Sequence, residues 1–318
     1  MPAPPRVAIV MTAYNVADYI GAAIESALAQ TFSDFELLVV DDGSTDDTPQ
    51  IAGAIADARL RVVRSPHRGA AAQLREGIAL TQAHYLALLD GDDLWSPTKL
   101  ERHVQFLDAH PEADLTFSWS RIIDEHGRDT GLASRHWNGP ISFDELLADN
   151  VIGNGSALVL RRYALTAAGG IDPAFSAYYD LDAWLRMAAR RPGSLWAIPE
   201  FLTFYRRRAG QLTSDVPALE QDFDRLIRKA HDLAPRVVAQ VEKQARSNMR
   251  RFFAYGWYQA GDYAKSVRTL AGSLACAPKT FLADRRNYQM GAAALSGLLL
   301  PARLHGYITR AALRVARA

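Results

Sequence analysis

Apolar and polar residues alternate in regular blocks over the first part of the chain. Segments such as residues 16–30 carry apolar side chains at helical spacing, here Ile20, Ile24 and Leu28. Between such segments lie short apolar runs with the length of buried strands, at residues 7–11, 35–40, 60–63 and 85–89. Strands that alternate with helices in this way predict a mostly parallel sheet with helices on its faces.

Three helix starts can be placed from local signals. Thr48 and Ser96 each stand directly before a proline, which predicts an N-cap residue followed by proline at the first helical position. Ser142 and Glu145 have the spacing of a capping box and predict a short helix that begins there.

The pattern changes after about residue 110. A helix is predicted at residues 180–190, and strands of mixed direction at residues 115–123, 156–160, 194–198 and 201–205. From about residue 215 the chain is helical to its end, and residues 251–278 resemble one hairpin of the tetratricopeptide type. We therefore expect an α/β domain in two halves followed by a helical region, with bounds at residues 1–110, 111–214 and 215–318.

Composition narrows the class of protein. The chain has 318 residues, of which 49% are apolar and 22% charged, so a disordered or fibrous protein is excluded. The net charge of +1 provides no overall basic field, and we expect no nucleic-acid partner. The single cysteine, Cys276, excludes an internal disulfide framework and a multi-cysteine zinc site. With no signal-peptide pattern and no membrane-spanning stretch, the expectation is a bacterial cytoplasmic enzyme.

Distinctive polar residues follow three of the predicted strands, at residues 12–15, 41–45 and 90–93. Taken singly, each segment is explained as a turn, because turns favour Asp, Asn, Ser and Gly. Together they would crowd carboxylates at the edge of the sheet where open α/β proteins bind ligands. A divalent cation such as Mn²⁺ or Mg²⁺, shared with phosphate oxygens, would offset that charge.

Motifs of other enzyme classes are missing from the sequence. It has neither the Gly-x-Gly-x-x-Gly pattern of dinucleotide sites nor the phosphate loop Gly-x-x-x-x-Gly-Lys-Ser/Thr. The nucleophile elbow Gly-x-Ser-x-Gly is also missing. A dehydrogenase, a P-loop enzyme and an α/β-hydrolase are therefore not expected.

Several motifs together resemble family 2 glycosyltransferases with the GT-A fold. They cover about two thirds of the chain in the order typical of that family, at residues 7–15, 27–31, 39–46, 88–93, 155–158, 169–172, 179–186 and 205–214. The resemblance implies a GT-A-like, Rossmann-like sheet whose first half binds a nucleotide sugar and whose second half binds the acceptor. It also implies a sugar transfer from a nucleoside-diphosphate sugar to a glycan or lipid-linked hydroxyl, with inversion at the anomeric carbon.

The resemblance assigns donor-binding roles to matching positions. Thr12 and Tyr14 would line the nucleobase pocket, and Asp42 would accept a hydrogen bond from the base. Asp90 and Asp92 form the family's Asp-x-Asp motif. Asp90 would face the ribose or the hydrated metal, and Asp92 would bind the Mn²⁺ or Mg²⁺ that bridges the diphosphate.

The same resemblance assigns the general base to Asp180. A carboxylate there would remove the proton of the acceptor hydroxyl as that hydroxyl attacks the sugar. As a lone residue at a helix start, Asp180 is also explained as an N-cap, and both roles are compatible. The preceding residue is Tyr179, where the family often has Glu.

Two further positions depart from the family pattern. Residues 73–75 stand where the family has Ala-Arg-Asn, so an arginine contact is lost and Arg68 or Arg75 is expected to replace it. Arg208 stands where a His often helps the metal or diphosphate, and its guanidinium can fork onto phosphate. The alternative is that residues 206–208 are a solvated charge run.

These inferences favour a metal-dependent glycosyltransferase of surface-glycan biosynthesis. The alternatives are an enzyme like a sugar-nucleotide pyrophosphorylase, and a non-catalytic nucleotide- or glycan-binding module. Residues 302–317 form a basic amphipathic pattern that would either contact the inner face of the cell membrane or dock onto the preceding helices, and docking is favoured.

Overall fold

A computed structural model describes residues 4–134, 136–208, 210–301 and 303–306. The chain divides into two compact units. Unit 1 comprises Met1–Leu146 and Asn150–Arg208, and unit 2 comprises Leu147–Asp149 and Ala209–Ala318. The two α/β halves predicted from the sequence share one sheet within unit 1, because strands from both sides of residue 110 pair with each other.

The strands lie at β1 Val7–Ala13, β2 Phe35–Asp41, β3 Leu60–Arg64, β4 Tyr85–Asp90, β5 Leu94–Trp95, β6 Leu115–Ile123, β7 Asp129–Ala133, β8 Gly139–Ile141, β9 Leu158–Arg161 and β10 Leu195–Arg206. The order across the sheet is β3-β2-β1-β4-β9-β6-β10-β5, with β7 beside β6 and β8 beside β10. The first four strands pair in parallel, and β9 runs antiparallel between β4 and β6. The prediction of a mostly parallel sheet joined by strands of mixed direction is confirmed.

The helices lie at α1 Ala17–Leu28, α2 Thr48–Ala54, α3 Ala70–Ala79, α4 Lys99–Ala109, α5 Phe143–Ala148, α6 Arg162–Ala167, α7 Tyr179–Arg190, α8 Val216–Leu233, α9 Pro235–Gln259, α10 Tyr263–Cys276, α11 Pro278–Ala283 and α12 Arg285–Leu299. A short 3-10 turn at Gly155–Ala157 precedes β9.

Both faces of the sheet are covered, as the near-continuous apolar strands require. On one face Ile9 and Met11 of β1 pack in a cluster with Ile24 of α1 and Leu100 of α4. On the other face α3 lies so close to β1 that a Cβ on Gly77 would come within 2.5 Å of Val10 Cγ1. Close packing on both sides fixes the strand ends that build the site described below.

The capping box is confirmed: Ser142 N donates to Glu145 Oε2 at 2.9 Å, and Glu145 N donates to Ser142 Oγ at 3.4 Å. The other two predicted N-caps are wrong. The N-cap of α2 is Asp47, and Thr48 Oγ1 instead accepts a hydrogen bond from Val16 N. The N-cap of α4 is Thr98, two residues beyond Ser96. In both cases the hydroxyl or carbonyl is used by a distant segment, which local sequence does not reveal.

Beyond residue 194 two predicted strands are one. β10 is continuous, and its register against β6 shifts between Ile198 and Thr203. A bulge of this kind keeps the pairing while it bends the strand. The irregular register interrupts the alternation of apolar and polar residues, which explains why the sequence pattern shows two short strands.

Unit 2 is helical, as predicted. α9 and α10 form an antiparallel hairpin around the predicted turn, with Ser247 Oγ 2.8 Å from Ser273 Oγ between the helices. α9 begins well before the hairpin expected at residues 251–278. Among the described helices, none combines the length and the apolar character needed to cross a bilayer. The predicted basic helix at residues 302–317 lies largely outside the described residues.

Candidate active site

The carboxyl ends of β1, β2 and β4 meet at one edge of the sheet. The parallel register places Thr12 beside Asp90, and Ala13 beside Asp41. The backbone closes tightly there, since Gly91 N donates to Thr12 O at 2.9 Å. The three polar segments that follow these strands in sequence are therefore neighbours in space.

Three carboxylates crowd the end of β4. Asp93 is fully buried, Asp92 is 8% exposed, and Asp90 is partly buried at the rim. Desolvation, followed by the charges of Asp92 and Asp180, raises the pKa of Asp90 to about 7. Burial, followed by the charges of Asp92 and Asp90, raises the pKa of Asp93 well above its usual range. Within the described residues Asp93 Oδ2 has no hydrogen-bond partner.

Two arginines at the end of β10 hold this cluster. Arg206 is 4% exposed; its backbone N donates to Asp93 Oδ1 at 2.8 Å and its Nε to Asp92 O at 2.7 Å. Arg208 Nε donates to Asp92 Oδ2 at 2.7 Å in a mostly buried ion pair. Both guanidinium groups lie over the ring of Tyr19. The solvated-run interpretation is therefore wrong for these two residues, and of the three only Arg207 is exposed.

Asp180 approaches the cluster from α7. Its charge is close enough to contribute to the raised pKa of Asp90. The N-cap interpretation of Asp180 is wrong, because the N-cap of α7 is Tyr178 and Asp180 is the second helical residue. Asp180 Oδ1 accepts a hydrogen bond from Leu181 N at 2.7 Å. Burial raises the pKa of Asp180, and the N-terminal turn of a helix suits its negative charge.

Two tyrosines complete the surroundings of the carboxylates. Burial, then the charges of Asp90 and Asp180, raises the pKa of Tyr179 well above its usual value. Burial and the three β4 carboxylates likewise raise the pKa of Tyr205. Both phenols therefore keep their protons at neutral pH, which makes them hydrogen-bond donors rather than bases.

Asp42 is buried after β2 and holds a neighbouring loop. Arg68 N donates to its Oδ1 at 2.8 Å, and Gly69 N to its Oδ2 at 2.9 Å. Gln73 Nε2 donates to the same Oδ1 at 2.5 Å, and His67 Nδ1 lies 2.9 Å from Oδ2. These partners occupy both carboxylate oxygens. Sequence reasoning missed Gln73, although it stands inside the motif at residues 73–75.

Thr12 and Tyr14 lie at the same strand end. Thr12 Oγ1 is 3.4 Å from Asp90 Oδ1. Tyr14 is 42% exposed and stacks on His67, with ring centroids 4.2 Å apart. One face of the Tyr14 ring is thus covered by the loop that Asp42 holds. The role of these residues toward a nucleobase stays a prediction.

The two arginines expected to replace a family arginine lie on or beside α3. Arg68 forms an ion pair with Glu76. Arg75 is exposed, two residues beyond Gln73, whose side chain faces Asp42. At 3.6 residues per turn, side chains two positions apart point roughly 160° away from each other, so Arg75 points away from Asp42.

A buried polar network lies under the site, and sequence reasoning missed it. Lys99 on α4 is fully buried, and its Nζ donates to Ala157 O at 2.9 Å, Thr203 Oγ1 at 3.1 Å and Ser118 Oγ at 3.2 Å. The Nζ also lies 3.3 Å from His103 Nε2. Burial lowers the pKa of Lys99 well below its usual value. One sequence signal could have predicted this burial: Lys99 and His103 lie at four-residue spacing with the apolar Leu107, so all three share the buried side of α4.

The network supports the turn at Gly155–Ala157, which in turn holds β4. Ser156 Oγ accepts a hydrogen bond from Asp90 N at 3.0 Å. Ser156 O accepts one from Trp95 Nε1 at 2.9 Å. The motif at residues 155–158 therefore has a structural task that the sequence alone did not assign: it fixes the backbone of Asp90.

The donor set suits a hard divalent cation. Asp90 and Asp92 offer carboxylate oxygens, which Mg²⁺ and Mn²⁺ prefer, and the raised pKa of Asp90 reports negative charge that a cation would offset. Within the described ranges no group of three His, Cys, Asp or Glu side chains is placed to ligate a metal. The remaining ligands would have to come from water and phosphate oxygens.

The chain is similar in sequence to proteins of one known family. Residues 8–165 match the family model described as glycosyl transferase family 2. An uncharacterized protein of Mycobacterium tuberculosis is 32% identical over 208 residues, which are 63% of this chain and 58% of that protein. The glucosyltransferase WfaP of Escherichia coli, which acts on α-D-GlcNAc-diphosphoundecaprenol, is 38% identical over 120 residues, 37% of this chain and 47% of WfaP. The chain thus matches less than two thirds of the length of these relatives.

Solved structures share the fold. TarS of S. aureus (residues 1–349, with UDP-GlcNAc) superposes with a TM-score of 0.63 at 15% identity, covering 98% of this chain and 91% of that chain. The mannosyltransferase PcManGT of Pyrobaculum calidifontis, solved with GDP-Man and Mn²⁺, gives a TM-score of 0.58 at 19% identity, with coverage of 99% and 87%. The strand-end motifs, the sheet they build and the match over residues 8–165 agree, and the chain belongs to glycosyl transferase family 2 with a GT-A fold.

Proposed function

We propose that this chain transfers one sugar from a nucleoside-diphosphate sugar to a hydroxyl group of a glycan or lipid-linked acceptor, in surface-polysaccharide biosynthesis. The observation that carries the proposal is the meeting of the β4 carboxylates with Asp180 and Arg208 at one sheet edge. The relatives agree in class: WfaP is a glucosyltransferase with a lipid-linked acceptor, and ExoO of Rhizobium meliloti, 42% identical over 106 residues, is a succinoglycan biosynthesis protein.

In the proposed reaction Asp180 acts as the general base. Its raised pKa makes its carboxylate a better proton acceptor than an ordinary exposed one. The acceptor oxygen forms a bond to the anomeric carbon as the bond to the diphosphate breaks. Asp180 takes the hydroxyl proton. A single displacement of this kind inverts the anomeric configuration.

Arg208 is proposed to stabilise the leaving group. Its guanidinium pairs with Asp92, and a guanidinium can fork onto phosphate oxygens. A bound Mn²⁺ or Mg²⁺, held by Asp90 and Asp92, would supply Lewis-acid stabilisation of the departing diphosphate. The half-buried phenols of Tyr179 and Tyr205 remain protonated and leave the carboxylates as the basic groups of the site.

The test is a thermal-shift screen of UDP-, GDP- and dTDP-sugars with and without Mn²⁺, followed by assay of slow donor hydrolysis without acceptor. A donor at 100 times its Kd stabilises the protein by about 2.7 kcal/mol. Stabilisation by one nucleotide class together with release of free sugar supports the transferase. Stabilisation without any hydrolysis or transfer supports a non-catalytic module, and no stabilisation by any sugar nucleotide overturns the proposal.

A further inference from the structure

The end of α12 exposes a cluster of leucines that the described residues of unit 2 leave uncovered. Leu299 is 72% exposed, Leu304 55%, Leu298 48% and Leu295 46%, and Leu300 is also exposed. Elsewhere in unit 2, residues such as Leu226 are buried. We call Leu295, Leu298, Leu299, Leu300 and Leu304 the leucine face. Single exposed leucines are ordinary, but a contiguous apolar patch marks an interaction surface.

The helix has two faces with different tasks. Its inner face packs within unit 2: Ala294 is fully buried, and a Cβ on Gly297 would come within 2.7 Å of the Tyr263 ring. The outer face continues from the leucines back to Tyr288, seven residues before Leu295 and 51% exposed. Residues three, four and seven apart share one side of a helix, so Tyr288, Leu295 and Leu299 form one stripe directed away from the core of unit 2.

The stretch of sequence that contains the leucine face carries charge of one sign, and the nearby Asp262, which lines a pocket with Leu298, is paired with Lys265. Residues 285–318 contain six arginines and no Asp, Glu or Lys, although the whole chain has a net charge of only +1. Arg286 is neutralised by Asp284, but Arg303, one residue before Leu304, is exposed. An apolar stripe beside cationic side chains is the pattern of a surface that lies in the interface of an anionic bilayer.

We propose that the leucine face docks on an anionic lipid membrane. A second copy of the chain is disfavoured as the occupant, because two such segments would bring like charges together. A nucleic acid is disfavoured because phosphate contacts would leave the leucines in water. Residues 285–299 are too short to span hydrocarbon, so the contact is interfacial. The proposal does not depend on which sugar the enzyme transfers.

The test is co-sedimentation of the full-length chain with vesicles of equal parts phosphatidylglycerol and phosphatidylcholine, and with phosphatidylcholine alone. Binding is expected only to the anionic vesicles and should weaken about tenfold or more in high salt, because surface charges are screened. The double variant Leu295→Gln/Leu299→Gln should bind about tenfold more weakly with an unchanged melting temperature. Leu212→Gln, an exposed leucine distant in sequence, is the matched control and should bind like the parent.

A chain that ends at Gly306 separates the leucine face from the residues after it. Retained binding to anionic vesicles, weaker through the loss of three arginines, supports the proposal. Complete loss of binding in that chain overturns it, since the leucine face would still be present. Failure of the full-length chain to bind anionic vesicles, or equal binding by the leucine double variant, also overturns it. Donor-induced thermal stabilisation is measured in parallel, so failure of the docking proposal is distinguishable from failure of the transferase proposal.

Discussion

Asp90 shows how a single residue is governed by its neighbours. The carboxyl group meets desolvation, Asp92 and Asp180 together, and its pKa rises to about 7. In the unfolded chain the group has an ordinary value, so between about pH 4 and 7 the folded protein binds more protons than the unfolded one. The free energy of unfolding therefore falls as pH rises through that window. Above pH 7 the folded protein bears the full cost of ionised Asp90.

Asp90→Asn removes that penalty, because the amide stays neutral at every pH. We expect the melting temperature of the variant to exceed that of the parent at pH 8 and to be close to it at pH 4. Each kcal/mol of difference in the free energy of unfolding corresponds to about 2–4 °C in melting temperature. Differential scanning fluorimetry without metal or nucleotide measures this. A melting-temperature difference that is the same at both pH values contradicts the assignment of the raised pKa.

Asp180→Asn tests the base. The amide cannot accept a proton at neutral pH, so kcat should fall about 10²–10⁴-fold. Asp180 is not the N-cap of α7, and its amide oxygen can still accept the hydrogen bond from Leu181 N, so stability should change by less than about 1 kcal/mol. Steady-state kinetics and calorimetric titration with donor measure both effects.

Donor affinity should survive in Asp180→Asn because the base acts on the acceptor. A variant that keeps most of its transfer rate assigns the base elsewhere. Asp182 is then the next candidate in sequence, although it is buried and paired with Arg186.

Arg208→Ala tests the diphosphate contact. We expect nucleoside-diphosphate binding to weaken by about 1.5–3 kcal/mol, the range for a hydrogen bond to a charged group. Arg207→Ala is the matched control, since Arg207 is exposed on the same strand end. Calorimetry on both variants checks the prediction. Equal affinities for Arg208→Ala and Arg207→Ala would leave Arg208 as a partner of Asp92 alone.

At the scale of elements, the site depends on how α4, the turn at Gly155–Ala157 and β4 are joined. Lys99 Nζ of α4 donates a hydrogen bond to Ala157 O in the turn, and Ser156 Oγ in the same turn accepts one from Asp90 N of β4. No carboxylate contributes to the lowered pKa of Lys99, for which desolvation is the cause. The helix therefore supports the end of β4 through the hydrogen bonds that the Lys99 amine makes to the turn and to β10.

Lys99→Met tests the lowered pKa of Lys99 through the pH dependence of the free energy of unfolding. The pKa of Lys99 is lowered in the folded state, so between that value and about 10.5 the unfolded chain binds the extra proton and parental stability rises with pH. The stability advantage of the parent over Lys99→Met should grow from pH 7 to pH 9.5, by up to about 1.4 kcal/mol per pH unit. Urea denaturation at the two pH values measures it, and a constant difference contradicts the lowered pKa of Lys99.

At the scale of the whole molecule, the site residues belong to unit 1. Thr12, Asp42, Asp90, Asp180 and Arg208 all lie within its two segments. Unit 2 has its own buried residues, including Leu270 of α10 at 5% exposure. Loss of packing in unit 2 should therefore affect stability and donor binding differently.

Leu270→Ala should lower the free energy of unfolding by about 2–5 kcal/mol through the cavity it leaves. Donor affinity, measured by calorimetry at a temperature where the variant is folded, should stay within about twofold of the parent. A larger loss of affinity in the folded variant would show that unit 2 contributes to the donor site.

Features that depend only on neighbouring residues could be predicted from the amino-acid sequence. Periodicity set the alternation of strands and helices, and the turn-forming acidic segments marked the strand ends that become the site. Ser142 and Glu145 formed their capping box because both partners lie within one turn. The position of Asp90 at a strand end could likewise be predicted from the sequence, because it directly follows the apolar run at residues 85–89.

The contacts that those residues make depend on the fold and could not be predicted from local sequence. Arg206 meets Asp93 across 113 positions of sequence, and Lys99 meets Thr203 across 104. For the same reason Thr48 and Ser96 are not the predicted N-caps, since their oxygens accept hydrogen bonds from segments that the fold brings near. The physical cause is that periodicity reports only which side of an element is apolar, whereas burial, pKa and pairing of a charged group depend on which elements the strand order places against it.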